Sequence, residues 1–529
     1  MEEYRFRQGF LWGGACSGPQ CEGVFPGDGK QDSIWEQWYR EDPNAFYQQV
    51  GPQFTSNFYQ NYQELIPMMR ECGITSFRTS IQWSRVMTDR EGTINPEGLA
   101  FYDRLVDALI ANGIQPMLCL LHFDLPMYWM EKGGFERRET VTAFARYARL
   151  CFEHFSDRVK MWFTFNEPVV IPEQGYLYQH HYPLVRDGKR AIQVAYHIQL
   201  ASSMAVREFR KMNSPGQIGI VTNLTPAYCQ DPDNTEDQNA SQAVDLIFNR
   251  SFLDPSVKGE YPRELVSLLK DNSVLPSYHS EDLDLIRDNT VDFVGVNYYH
   301  PRRVRHRQAP FVSNVFMPDK YFEYYVPENC RMNISRGWEI YEKGIYDIGI
   351  NLRDNYGNIP WMVTENGMGV QDEEQFMDKD GMVQDDYRIT FIKDHLKWLH
   401  RAIQEGCACF GYHMWSPFDS WSWSNAYKNR YGLIRIDIAK EAKPTYKKSA
   451  QWFRQLSDQN GFTDKDGAPC NKARHYSYRL IVLNFPLKIS LRMSTARTYL
   501  RSFRSFVDVS AVSALPAKRR IALECLVVL

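Results

Sequence analysis

Eight short apolar runs, each followed by a stretch with helical periodicity, constrain this 529-residue chain more than any other feature. The runs are Phe10–Ser17, Ser76–Trp83, Pro116–Phe123, Met161–Asn166, Ile218–Leu224, Asp292–Tyr299, Trp361–Glu365 and Gly411–Trp415. Their β-branched and aromatic content fits strands buried on both faces of a parallel sheet. The intervening segments Asn57–Cys72, Pro96–Gly113, Glu139–Phe155, Lys189–Met212, Tyr387–Glu405 and Tyr446–Leu456 read as helices. In Pro96–Gly113, Asn95 suits the N-cap and Pro96 the first turn, and Leu99, Tyr102, Val106, Leu109 and Ile110 mark one apolar face before a Gly stop. Eight strand–helix alternations in order predict an α/β fold, a (β/α)₈ barrel over residues 1–460. Chemistry in such a barrel sits where the strands end.

Two segments depart from this rhythm. Pro301–Trp338, with its Arg/His cluster and scattered aromatics, is too long for an ordinary βα loop and is expected to form an insertion around the mouth. Residues 461–529 lose the alternation. From residue 471 onwards there are 11 Lys/Arg against 2 Asp/Glu, so the net charge of −3 hides an acidic body and a basic tail foreign to the barrel. An acidic body argues against nucleic acid as the main partner. Eleven scattered cysteines, with Cys407 and Cys409 in a spacing that suits no zinc site, imply free thiols and no metal. No organic cofactor is implied either, since no Gly-rich phosphate loop follows the first strand. No stretch of about 18 apolar residues occurs, and Met1–Arg7 does not lead into a secretory signal, so the expected setting is cytoplasmic, without a membrane partner.

The fourth run ends in Thr164-Phe165-Asn166-Glu167-Pro168 and the seventh in Val363-Thr364-Glu365-Asn366-Gly367. Either glutamate alone reads as a loop charge. Together they place one carboxylate at each of two strand ends, the pair that glycosidic cleavage uses as acid and as nucleophile or base.

With these two motifs the chain resembles glycoside hydrolase family 1, the retaining β-glycosidases, over about residues 8–458. Further matching segments are Phe10-Leu-Trp12-Gly-Gly14-Ala15, Gln20-Cys21-Glu22-Gly23, Phe77-Arg78-Thr79-Ser80-Ile81-Gln82-Trp83-Ser84-Arg85, His122-Phe-Asp124-Leu-Pro126 and Asn297-Tyr298-Tyr299. Cys16 stands where the family usually has Thr. The resemblance implies that Glu167 is the acid/base and Glu365 the nucleophile. It also implies that Gln20, His122 and Asn166 bind glycone hydroxyls and that Tyr299 and Arg78 contact the nucleophile. Physical chemistry adds an expectation: a cation beside Glu365 lowers its pKa, whereas Glu167 needs a raised one. Taken singly, His122 also fits a satisfied core histidine, Arg78 a structural ion pair and Tyr299 an interior aromatic.

The eighth run leads from Trp415 through Asp419-Ser420-Trp421-Ser422-Trp423 to Lys428-Asn429-Arg430-Tyr431. This region resembles the W-S-L-x-D-N-F-E-W of family β-glucosidases, whose Glu holds sugar hydroxyls; here Ser422 replaces it. A carboxylate would repel a sugar 6-phosphate by roughly 4 kcal/mol at ~4 Å and an effective dielectric of ~20, whereas a hydroxyl can donate to it. The family's 6-phospho-β-glycosidases are similar in carrying S-x-x-x-x-x-x-K-x-Y. Ser422 and Tyr431 match, but Asn429 occupies the lysine position, with Lys428 and Arg430 as flanking candidates. Trp415 and Trp423 are further substrate-binding candidates; Trp at position 423 resembles the phospho-β-galactosidases but also occurs in plain β-glucosidases, so it does not choose between gluco and galacto sugars. The expectation is a 6-phospho-β-glycosidase, most simply a 6-phospho-β-glucosidase, acting on a small β-glycoside phosphate. The alternatives are a β-glucosidase or β-galactosidase for unphosphorylated sugars and a non-catalytic sugar-binding barrel. Oligomeric state stays open, a homo-oligomer included.

Overall fold

The computed structural model describes residues 2–213, 215–438 and 443–466. The basic tail from residue 471 lies outside the described residues.

Eight parallel strands close into a barrel in chain order: β1 (Leu11–Ala15), β2 (Ser76–Ser80), β3 (Gln115–Cys119), β4 (Met161–Asn166), β5 (Gln217–Asn223), β6 (Phe293–Asn297), β7 (Trp361–Glu365) and β8 (Cys409–Trp415). Closure is made by β8 on β1, with Gly411 opposite Leu11 and Trp415 opposite Ala15. All eight sequence runs become barrel strands. Several runs continue past the strand's end because the mouth is also buried: Ile81, Phe123 and Tyr298 lie inside although they belong to loops. Met117, Cys119, Met161, Phe163, Val221, Phe293 and Met362 fill the barrel interior, and a larger apolar layer lies between strands and helices.

The six expected helices form, as Phe58–Glu71, Pro96–Ala111, Arg138–Phe155, Gly188–Lys211, Asp386–Gln404 and Lys448–Gln459. In Pro96–Ala111 the buried face includes Phe101 and Leu105, whereas Ile110 points to solvent. Asn95 does not cap this helix with its side chain. Its Nδ2 instead donates to the carbonyls of Asp28 and Arg85, both at 2.8 Å, which ties two mouth loops together. Between β5 and β6 the chain makes Thr235–Val244, which continues through a π-helical stretch Asp245–Arg250 into Ser251–Val257, and then Arg263–Asp271 and Ser280–Asp288.

The expected insertion is ordered at the mouth. Arg302–Arg305 pairs with both Ala227–Cys229 and Glu323–Tyr324, and Met332–Asn333 pairs with Trp338–Glu339. At the opposite end Glu3–Arg5 pairs antiparallel with Gly461–Thr463, so residues 461–463 belong with the barrel rather than with the tail. No helix among the described residues is long and apolar enough to cross a membrane.

The β1 and β2 loops are clamped by one buried arginine. Arg85 donates to Glu22, Asp28 and the Gly23 carbonyl, each at 2.8 Å, while Tyr102 and Gln82 donate to Glu22 at 2.9 and 2.6 Å. Removing the cation leaves two buried carboxylates uncompensated, which costs about 3–5 kcal/mol. Arg85→Met is expected to lower the denaturant midpoint of unfolding strongly. Arg85→Lys is expected to lower it partly, since one ammonium cannot reproduce the three-way fork.

Candidate active site

The barrel's topology sets two carboxylates across its mouth. Glu365 is the last residue of β7, and Glu167 follows directly on β4. Both are nearly enclosed, at 4% and 8% exposure. Glu365 accepts from the Tyr299 hydroxyl at 2.7 Å on one oxygen and from Arg78 on the other. The second arm of Arg78 donates to Asn166 Oδ1 at 2.7 Å. Asn297, at the end of β6, donates to Glu167 at 2.8 Å and to Asn166 at 3.2 Å. The Thr364 hydroxyl donates to Asn297 Oδ1 at 2.8 Å and thereby fixes which way that amide faces. The middle of β2 and the ends of β4, β6 and β7 thus supply one connected network.

Glu167 takes a positive φ of 44°, a conformation that bulky L-residues rarely adopt. It is held there by its N–H to the Val221 carbonyl at 2.8 Å and by the Val170 N–H to its own carbonyl at 2.9 Å. Strain of this kind persists where the surroundings over-determine it, here at a side chain turned into the mouth.

Electrostatics separate the two glutamates. Burial, reinforced by the negative charge of Glu365, pushes Glu167 up to about 8. Burial also raises Glu365 above the usual carboxylate range, against the pull of Arg78 and Tyr299. The expectation that Arg78 would depress Glu365 below its ordinary value is therefore corrected, because desolvation outweighs the cation. The contrast in roles survives. Glu365 has a guanidinium and a hydroxyl in direct contact favouring its ionised form, whereas Glu167 has in contact only the neutral Asn297 amide and feels Arg78 without a hydrogen bond, so a shared proton resides on Glu167.

His122 is held neutral, well below its ordinary pKa, by burial and by the charge of Arg78. Asn166 Nδ2 lies 3.0 Å from its Nε2, which must accept; Nδ1 then carries the proton and has no protein partner. Gln20 is fixed by the Ser17 hydroxyl at 2.8 Å and by the Trp421 carbonyl at 2.8 Å. Trp423 stacks on Trp35 with centroids 4.4 Å apart.

A cavity of about 580 Å³ collects Gln20, His122, Asn166, Glu167, Tyr299, Glu365, Trp415, Ser422, Trp423 and Tyr431 at one surface. Arg78 lies beneath it, in contact with Glu365. Lys428 and Asn429 do not line it. The Lys428 ammonium sits over the Tyr47 ring at 5.9 Å, and Asn429 is buried with neither amide atom partnered. Arg430 turns away as well, toward Asp419 at 3.5 Å and the Ile436 carbonyl at 2.9 Å. Tyr431 is set in place from behind. Asp419 accepts from Lys447 and from the Gly432 N–H, both at 2.9 Å, and a Cβ at Gly369 would come within 2.4 Å of the Tyr431 ring.

Sequence reasoning missed the cations that the mouth insertion contributes. Arg302 pairs with Glu173 at 2.9 Å, Arg303 pairs with Glu339 at 2.8 Å, and Arg336 also lines the cavity. The Arg/His cluster in Pro301–Trp338 was the available signal, but it does not reveal which members turn inward.

Comparison with known proteins agrees with this arrangement. Residues 2–462 match the family model for Glycosyl hydrolase family 1. The chain belongs to this family. It is 52% identical over 462 residues to the 6-phospho-beta-glucosidase GmuD of Bacillus subtilis, covering 87% of this chain and 99% of that protein. It is 34% identical to Beta-glucosidase A of Acetivibrio thermocellus, covering 87% of this chain and all of that one. Among solved structures, a family 1 β-glucosidase from Thermotoga maritima superposes with a TM-score of 0.81 at 32% identity, covering 88% and 100% of the two chains. The family 1 barrel is a glycosidase fold acting on O-glycosyl bonds.

Two measurements check the site's electrostatics and packing. Infrared difference titration is expected to show a protonated carboxyl that persists to about pH 8, disappears in Glu167→Gln and titrates at lower pH in Glu365→Gln, where the repelling charge is gone. Gly369→Ala is expected to displace the Tyr431 ring and raise KM more than it lowers kcat.

Proposed function

We propose that the chain is a retaining 6-phospho-β-glucosidase in which Glu365 is the nucleophile and Glu167 the acid/base. The facing, unequally protonated carboxylates support glycoside hydrolysis. Ser422 at the cavity wall, together with 52% identity to a protein named 6-phospho-beta-glucosidase, supports the phosphorylated glycone.

Ionised Glu365, oriented by Arg78 and Tyr299, attacks the anomeric carbon while protonated Glu167 gives its proton to the departing glycosidic oxygen. Esterification of Glu365 removes the negative charge that holds the Glu167 pKa up. Glu167, now more acidic, is left as a carboxylate and can take a proton from the water that attacks the glycosyl ester. Freed Glu365 then restores the starting charge. Gln20, His122 and Asn166 line the cavity as the hydrogen-bonding residues for glycone hydroxyls, and Trp415 and Trp423 offer apolar faces to the ring.

The nine described cysteines are all unpaired thiols, which supports a reducing, cytoplasmic setting. Substrates phosphorylated on entry would meet the enzyme there. The second reading, a β-glucosidase for free sugars, draws on Asn429 at the lysine position and on the relative named Beta-glucosidase A.

The deciding experiment compares kcat/KM on p-nitrophenyl β-glucoside, p-nitrophenyl β-galactoside and their 6-phosphates. A large preference for the glucoside 6-phosphate is expected; equal or better turnover of the free glucoside would replace the reading with the second one. A 2-deoxy-2-fluoro glucoside 6-phosphate is expected to add its glycosyl mass to the peptide containing Glu365 and to leave Glu365→Gln unlabelled. Glu167→Gln is expected to lower kcat about 10²–10⁴-fold for a poor leaving group and much less for p-nitrophenol, which departs without a proton.

A further inference from the structure

Asn429, Lys428 and Arg430 all fail to place a cation in the cavity, yet a glycone phosphate entering it would join the ionised Glu365 in an enclosed space. Charge complementarity calls for a cation elsewhere on the wall. Three arginines line the cavity. Arg302 and Arg303 are neutralised by Glu173 and Glu339. Its histidines are held neutral by burial, His122, His181 and His300 alike. The remaining one, Arg336, has no carboxylate partner among the described residues, and its buried Nε has no hydrogen-bond partner at all.

Arg336 is also held in a fixed place. It sits in a turn closed by its own N–H to the Asn333 carbonyl at 3.1 Å, with Gly337 at φ +67° completing the reversal. Asn333 Nδ2 donates to the Gly369 carbonyl at 3.1 Å, and the Gln371 N–H donates to the Ser335 hydroxyl at 3.0 Å. Val370 in turn pairs with Arg430 through two backbone bonds of 3.0 and 2.9 Å. The turn is thus stapled to the segment that precedes Tyr431. Its guanidinium carbon lies 4.1 Å from the centroid of the Trp338 ring, itself packed on Tyr299 and His300. Arg336 is close enough to Tyr431 to pull down that hydroxyl's pKa by charge and by hydrogen bonding, against the rise that burial imposes.

We propose that Arg336, acting with the Tyr431 and Ser422 hydroxyls, is the residue that binds the glycone phosphate, in place of the lysine absent at position 429. The inference rests on the 6-phospho-β-glucosidase reading and names the side chain that gives it specificity. The guanidinium offers two donors to a phosphate, and its planar face is already supported on Trp338, so little ordering is needed on binding.

The test is the ratio of kcat/KM for p-nitrophenyl β-glucoside 6-phosphate over p-nitrophenyl β-glucoside, measured for wild type, Arg336→Gln, Arg336→Lys and the double variant Arg336→Gln with Asn429→Lys. Arg336→Gln is expected to lower the ratio by about 10- to 150-fold, the usual worth of a hydrogen bond to a charged group, chiefly through KM of the phosphate. Arg336→Lys should recover part of that ratio, and so should the double variant, which returns a cation to the position of the absent lysine. A wild-type preference that survives Arg336→Gln unchanged overturns the inference and leaves the functional reading standing. The same holds if both substrates lose equally, which would make Arg336 a support for Trp338. A wild type with no preference for the phosphate overturns both.

Discussion

The buried guanidinium of Arg78 is the interaction on which the mouth of this barrel depends. It is fully enclosed in the middle of β2 and grips Glu365 with one arm and Asn166 with the other, so it ties the ends of β4 and β7 to β2. Two glutamates this deep in one cavity would repel each other and lose their hydration. A single cation lets one of them stay ionised, and its charge adds to burial in holding His122 neutral. The protonation pattern of the site is therefore a property of the network, since each group's state depends on the charge of the next.

A second layer fixes the loops that carry the substrate wall. Asp419, Lys447, Glu373, Arg388 and Asp385 form a continuous buried ionic chain behind the β8 loop. Such a chain is poor evidence for net stability, because desolvation offsets most of its attraction. Its value is geometric. It gives the irregular segment from Ser420 to Tyr431 a fixed path, so that Ser422, Trp423 and Tyr431 meet the cavity while Lys428 and Arg430 point elsewhere. The Arg85 clamp does the same for the loop that carries Gln20.

Much of this was legible in residue patterns. Most barrel strands show as apolar runs, because a parallel strand covered on both faces has no polar alternation to confuse the reading; β2, Ser76–Ser80, is the polar exception. Glu167 and Glu365 stand out because each ends such a run. The misreadings share a cause. Asn95 looks like a cap from its place before Pro96, but two carbonyls from other loops claim its amide. Ile110 lies on the edge of the helical stripe, and the width of the neighbouring surface decides its exposure.

By itself the sequence determined the barrel, the strand ends that carry the two carboxylates and the hydroxyl at position 422, since these follow from residue type and periodicity along one chain. Tertiary structure decided which charges face the cavity. Lys428 and Arg336 are both unremarkable cations in loops, yet one caps the Tyr47 ring and the other enters the cavity beside Tyr431. It also decided that burial raises both glutamates and that Arg78, whose charge acts on both, is hydrogen-bonded only to Glu365. Direction and desolvation are set by contacts between residues far apart in sequence, and no local pattern encodes them.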